Sequence, residues 1–234
     1  MSVTRRDDDT PGERRVAGVR AAYDAIAGAY EAQLGDELDG KPFDRGLLDG
    51  FVGLTGPGVI ADVGCGPGHV TRFLAAQGAE VVGIDLSPGM IAVARQRSPE
   101  LRFTVGSMLR LPVADGAWAG AIALYSIIHL TPGERALAFQ ELARTVRPDG
   151  WLLVAFHVDS PEFATGEVNH ITTWFGEKVE LDGFFLDPTE VTADVTSAGF
   201  TVMSTTIRRP LPTGEYPSRR CYLLAQRDSE ADLH

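Results

Sequence analysis

Val59-Ile60-Ala61-Asp62-Val63-Gly64-Cys65-Gly66-Pro67-Gly68-His69 is the stretch on which the reading of this chain turns. Val59 to Val63 form a short apolar strand. Glycines at 64, 66 and 68 then let the backbone turn tightly, and Val70, Phe73, Leu74 and Ala75 continue at helical spacing. A strand that passes through glycines into a helix leaves unpaired N–H groups at the turn. That alone marks a nucleotide-type site and nothing narrower. Two details narrow it. A dinucleotide fingerprint, Gly-x-Gly-x-x-Gly, needs glycine where His69 stands, whereas the third glycine comes one residue early. A carboxylate, Asp62, also precedes the first glycine. It repels a pyrophosphate and suits a ligand carrying an amino group and a sulfonium.

Outward from the loop, strands and helices alternate. Glu80 to Ile84 reads as a second strand ending in Asp85, placed to accept both hydroxyls of a ribose. Ser87-Pro88 caps a helix over Gly89 to Arg97. Leu101 to Val105, Trp118 to Tyr125 and Trp151 to Phe156 are further strands, with a helix over Pro132 to Val146 capped by Thr131. Thr189 to Ala198 is a helix, and Phe200 to Ile207 with Arg220 to Ala225 form an edge hairpin. This order predicts a single α/β domain with a Rossmann-like, seven-stranded, mostly parallel sheet whose last strand is antiparallel. Helical periodicity from Val16 to Leu34 and after Pro42 adds an N-terminal helical lid over 16–55. Residues 157–187 lack a clear period and read as an insertion over the active site. The expected domain is 16–226, between a disordered arm (1–15) and a disordered tail (227–234).

The chain has 234 residues, 44% hydrophobic and 23% charged, with a net charge of -11. Acidity of this size disfavours nucleic acid as a partner. No stretch is long and apolar enough for a membrane span, and the N-terminus is not a secretory signal. Cys65 and Cys221 have no metal-ligand spacing, no carboxylate–histidine metal cluster is written, and a reducing cytoplasm is the expected compartment.

The glycine stretch, together with Val81-Val-Gly-Ile-Asp-Leu-Ser-Pro-Gly-Met90, resembles the class I S-adenosylmethionine-dependent methyltransferases of small-molecule type. The resemblance extends over roughly residues 16–226 and includes Gly106-Ser-Met-Leu-Arg-Leu-Pro112 and Val146-Arg-Pro-Asp-Gly-Trp151. Ser107 stands where the family usually has Asp, and Trp118-Ala119 replaces its Phe-Asp. The resemblance implies S-adenosylmethionine as cofactor, S-adenosylhomocysteine as product and a small-molecule acceptor. It places Asp62 and Gly64 by the methionine moiety, Asp85 on the ribose, and Leu86, Met108 and Leu109 around the adenine, with Gly66 also among the cofactor-binding residues. Leu124 and Tyr125 face the transferring methyl, and Tyr23 and Tyr30 close over the cofactor.

The candidate catalytic residues are His129, His157 and Tyr23. Either histidine can take a proton from a nucleophile or serve as a hydrogen-bonded structural imidazole. His170 is a weaker candidate, and His69 is expected at the surface. Trp174, Phe175, Phe184 and Phe185 line an aromatic pocket or merely pack the insertion. Arg219 and Arg220 neutralise a substrate carboxylate or form surface salt bridges. The expected reaction is methyl transfer to an oxygen of a natural-product-like compound, with N- or C-methylation of an aromatic heterocycle as the alternative. A nicotinamide-dependent dehydrogenase and an inactive cofactor-binding protein are the rivals. The expected assembly is a monomer or homodimer.

Overall fold

A computed structural model describes residues 11–212 and 215–229. Its elements run α1 (Pro11–Leu34), α2 (Pro42–Thr55), β1 (Val59–Val63), α3 (His69–Ala76), β2 (Glu80–Asp85), α4 (Pro88–Arg97), β3 (Arg102–Val105), β4 (Trp118–Leu124), α5 (Pro132–Thr145), β5 (Val146–Asp159), β6 (Val168–Trp174), β7 (Glu177–Phe184), α6 (Pro188–Ser197), β8 (Phe200–Arg208) and β9 (Arg219–Arg227). Short 3₁₀ turns cover Glu37–Gly40 and Ile127–His129.

Seven strands form one sheet in the order β3-β2-β1-β4-β5-β9-β8. The first five are parallel, and β9, last in the chain, runs antiparallel between β5 and β8. The strand order reverses between β1 and β4, so a crevice opens at their carboxyl ends. Side-chain alternation divides the core. Ile60 and Ile122 point to Leu48 and Phe51 of α2 and Leu74 of α3. Ala61 and Ala121, one position along, join Phe139 of α5, Val195 of α6 and Phe156. Each fully buried Phe or Leu contributes about 2 kcal/mol of transfer free energy.

The caps follow the local sequence. Ser87 Oγ accepts from the Met90 amide. Thr131 and Glu134 complete a reciprocal capping box on α5. Arg135, buried on α5, reaches Asp194 and Glu190 on α6 and ties the two helices together.

Three elements differ from expectation. Residues 11–15, assigned to the arm, are the first turns of α1. They carry no apolar stripe because charge holds them: Arg15 pairs with Glu134 and donates to the His129 carbonyl. The remainder of the arm, 1–10, and residues 230–234 of the tail lie outside the described residues, while Arg227 closes β9. Of the two lid helices, α1 crosses the crevice, whereas α2 turns Leu48 and Phe51 onto the sheet. The aperiodic segment contains a β-hairpin, β6–β7, closed by Phe175 and Gly176. Both have positive φ (49° and 85°), the geometry of a two-residue hairpin turn that matches strand twist. Val179 and Leu181 of β7 pack with Ile26 of α1.

Candidate functional site

The crevice is a cavity walled by the glycine loop, the ends of β2 and β4, and the loop after β3, and it is roofed by α1. Tyr23, Tyr30, Asp62, Gly64, Gly66, Asp85, Leu86, Met108, Leu109, Leu124, Tyr125 and His129 all line it. His157 does not; it lines a second cavity.

The loop is built for close approach. Gly64 has φ 81°, and a Cβ there would lie 2.3 Å from Ser126 Cβ, so no side chain fits. At Gly66, φ 53°, a Cβ would project into open space, so bare backbone faces the cavity. Asp85 Oδ2 accepts from Gly66 N and Oδ1 from Ser87 N, both at 2.8 Å, which fixes the carboxylate and leaves lone pairs for further donors. Burial raises its pKa despite those bonds.

Asp62 is 2% exposed, and its hydrogen bond comes from Thr71 Oγ1 at 2.6 Å. Burial pushes its pKa up to about 6 against that bond. A buried carboxylate held by one hydroxyl and facing a cavity is short of a cation. An α-ammonium beside it would supply that charge. The pair Asp62 and Asp85 with the Gly64–Gly66 cradle therefore fits the methionine and ribose parts of S-adenosylmethionine. Ser107, in place of the family's Asp, turns its Oγ to the Leu109 amide at 3.2 Å and shapes the loop beside Met108.

Where α1 meets the turn after β4, Tyr23 Oη lies 2.7 Å from His129 Nε2. His129 Nδ1 lies 2.7 Å from the Asp182 carbonyl on β7, and a carbonyl only accepts. Nδ1 therefore carries the ring proton, and Nε2 accepts from Tyr23. Burial pushes the His129 pKa down to about 4, so the ring is neutral at physiological pH. Burial also raises Tyr23 well above an ordinary phenol. Tyr23 stands edge-on to Trp174 at 5.9 Å between centroids, and Tyr30 contacts Trp174 and Phe175 in the same way.

The second cavity adjoins the first. Tyr23, Tyr30, Glu37, Lys41, Tyr125 and His129 line both. Its other walls combine aromatic rings, Trp174 and Phe175 at the hairpin tip, Phe184 and Phe185 at its end and Tyr216, with the polar Gln33, Asp36, Asn169, Glu215 and Arg220. Tyr125, at φ 54°, is anchored from behind. Tyr222 donates to Asp44 Oδ1 at 2.8 Å, so Tyr125 donates to Tyr222 at 3.0 Å and its proton points away from the cavities. Arg208 secures Asp44 at 2.7 Å. His157 packs on the Tyr125 ring and meets Ser218 Oγ at 2.6 Å. Burial, then the positive charges of Arg220 and Lys41, push its pKa down to about 3.

Sequence reasoning missed several residues. Glu37 and Lys41 flank a 3₁₀ turn with no motif, yet they sit at the junction, 2.6 Å apart. His69, expected at the surface, lines the first cavity and meets Glu37 at 3.1 Å, because α3 begins directly under α1. Burial would raise the Glu37 pKa, but the His69 hydrogen bond and the Lys41 charge outweigh it and hold it down to about 2. His170 is instead an exposed partner of Asp182, outside both cavities. Arg219 is exposed and pairs with Asp159, while Arg220 is buried in the second cavity wall. Among the described residues no group of His, Cys, Asp or Glu is placed to hold a metal ion, and no helix is long and apolar enough to cross a membrane.

Comparison with known proteins agrees with this geometry. Residues 60–150 match a family model described as a methyltransferase domain. The demethylmenaquinone methyltransferase of Beutenbergia cavernae is 35% identical over 111 residues, covering 47% of this chain and 45% of the relative. The malonyl-[acyl-carrier protein] O-methyltransferase of Serratia marcescens is 33% identical over 147 residues, covering 62% and 54%. The chain thus spans about half the length of the curated relatives it matches. Among solved structures, the 1,6-didemethyltoxoflavin-N1-methyltransferase of Burkholderia thailandensis superposes with a TM-score of 0.69 at 20% identity, over 97% of this chain and 94% of that one. That likeness shows the fold. The matched residues include the glycine loop and Asp85, which line the first cavity. Residues 60–150 therefore carry a methyltransferase domain, and the chain as a whole has the fold of S-adenosylmethionine-dependent methyltransferases.

Proposed function

We propose that the chain is an enzyme that transfers the methyl group of S-adenosylmethionine to an ionisable O–H of a small, conjugated molecule. One observation carries the reading: a donor-type cavity and an aromatic cavity meet at the Tyr23–His129 pair. When bound, the cofactor supplies an electrophilic methyl on a sulfonium. Asp62 takes its ammonium, Asp85 its ribose, and Leu86, Met108 and Leu109 its adenine, with Leu124 and Tyr30 closing the remaining sides. The chain's chief task is alignment and exclusion of water, which α1 and the β6–β7 hairpin perform by covering the junction. Tyr23 is placed to receive the acceptor's proton as its own passes towards His129 Nε2, a transfer aided by the Asp182 carbonyl and opposed by the burial that holds the His129 pKa at about 4. Tyr125 serves as a wall, since its own proton is committed to Tyr222. His157, held neutral, orients the acceptor.

A ring nitrogen is the second reading. The flat walls of Trp174 and Phe184 favour it, as does the N1-methylation named for the Burkholderia thailandensis protein. A free small-molecule acceptor also accords with action in the cytoplasm.

The test is thermal unfolding with S-adenosylmethionine, S-adenosylhomocysteine and NAD. Either adenosyl compound raises Tm and NAD does not. No shift with either adenosyl compound would sink the donor assignment. Incubating S-adenosylmethionine with phenolic, carboxylic and heterocyclic acceptors, read by mass for one added CH₂ per transfer, then identifies the accepting atom.

A further inference from the structure

Arg220 is 2% exposed and lines the aromatic cavity. Two of its three guanidinium nitrogens are engaged. One donates to the Ser218 carbonyl at 3.0 Å and lies 3.2 Å from Glu215; the other donates to the Tyr216 carbonyl at 3.0 Å. The third, Nε, is buried and has no hydrogen-bond partner among the described residues. A cation's N–H left without an acceptor costs stability that a buried site rarely concedes without reason. Glu215 is shared between Arg220 and Arg208, and Arg208 also holds Asp44, so what Arg220 keeps to offer is an N–H donor rather than a net charge. The strand register sets Arg220 directly opposite His157, so both stand on one wall. His157 is kept neutral there and cannot compete as a cation.

We propose that Arg220 anchors the methyl acceptor through a carboxylate, and that the acceptor is a flat conjugated acid gripped at the end remote from the methylated atom. The proposal rests on reading the aromatic cavity as the acceptor side. Three points support it. Arg220 lines the second cavity and not the first, so the oxygen it binds lies away from the glycine loop. A single free N–H matches one oxygen of a planar carboxylate, whereas a phosphate group would call for several donors. Phe184, Phe185 and Trp174 supply flat apolar walls to the cavity that Arg220 shares with Tyr23 and His129.

The experiment is calorimetric titration of the full chain with 1-hydroxy-2-naphthoate and with 1-naphthol, the same ring without its carboxylate. Each is measured with and without saturating S-adenosylhomocysteine. The naphthoate is expected to bind at least about ten-fold more tightly than the naphthol. Arg220→Gln should bring the acid down to the naphthol's affinity while leaving S-adenosylhomocysteine affinity unchanged. Equal binding of the two probes, binding of neither, or an Arg220→Gln protein that keeps the preference would overturn the proposal. Should Arg220→Gln fail to fold, the two probes compared on the native chain still decide it. Titration with S-adenosylhomocysteine alone judges the donor site separately, so failure of that reading is distinguishable from failure of the anchor.

Discussion

Tyr23 and His129 stand 106 positions apart in sequence and share a hydrogen bond of 2.7 Å. Its direction follows from the other ring nitrogen, which faces a carbonyl and must carry the proton. The neutral imidazole is thus already poised to accept from the phenol. Tyr23→Phe removes the hydroxyl and keeps the ring against Tyr30 and Trp174. On an acceptor found by the mass screen, kcat is expected to fall about 10²-fold with S-adenosylhomocysteine affinity unchanged. An unaltered kcat would remove Tyr23 from the proton path.

If Asp62 receives the ammonium as proposed, cofactor binding depends on pH. Its folded pKa, about 6, lies above its ordinary 3.8, so the ligand-free chain loses stability as pH rises through that window. The ionised form is the one that receives an ammonium. S-adenosylmethionine affinity should therefore weaken by about ten-fold for each unit of pH below 6 and level off towards pH 7. Calorimetry between pH 5 and 7 measures this, and Asp62→Asn should flatten the curve.

Gly64 leaves no room for a side chain. Gly64→Ala sets a Cβ against Ser126 at a φ that L-residues rarely adopt. The expected cost is about 2 to 4 kcal/mol of stability, with loss of cofactor binding. Adding Ser126→Gly should relieve the contact and leave the φ strain. Chemical denaturation of both variants separates the two contributions.

The two neutral histidines lower acid stability. Both fold with pKa values depressed from 6.5, His129 to about 4 and His157 to about 3. Their contribution is complete above pH 6.5 and is lost as pH falls through those values, because the unfolded chain takes the protons first. His157→Phe should show a smaller drop in Tm between pH 7 and pH 5 than the native chain. An equal drop would mean that the His157 ring is not held neutral in the fold.

Most of the fold was legible because its signals are local. Ser87-Pro88 and Thr131-x-x-Glu134 announce helix starts within four residues, and the apolar run of β4 is long enough to read as buried on both faces. The β6–β7 hairpin was not legible. Phe175 at positive φ is an unusual turn residue, and the cross-strand partners that stabilise it are not neighbours in sequence. Lys41 and Glu37 escaped for a similar reason, since a charged pair on a 3₁₀ turn looks like any solvated surface until α3 brings His69 against it.

The proposed donor end of this protein is determined by the sequence itself. Asp62, the glycines and Asp85 fall within one strand–turn–helix–strand unit, where spacing alone sets which backbone groups face the turn. The proposed acceptor end belongs to the tertiary structure. Arg219 and Arg220 are adjacent and chemically alike, and only pairing with β5 sends one to Asp159 at the surface and the other to His157 and the cavity. A strand's side chains alternate between faces. Which face becomes a cavity is decided by the hairpin and α1 closing over it, and those contacts depend on residues far apart in the chain.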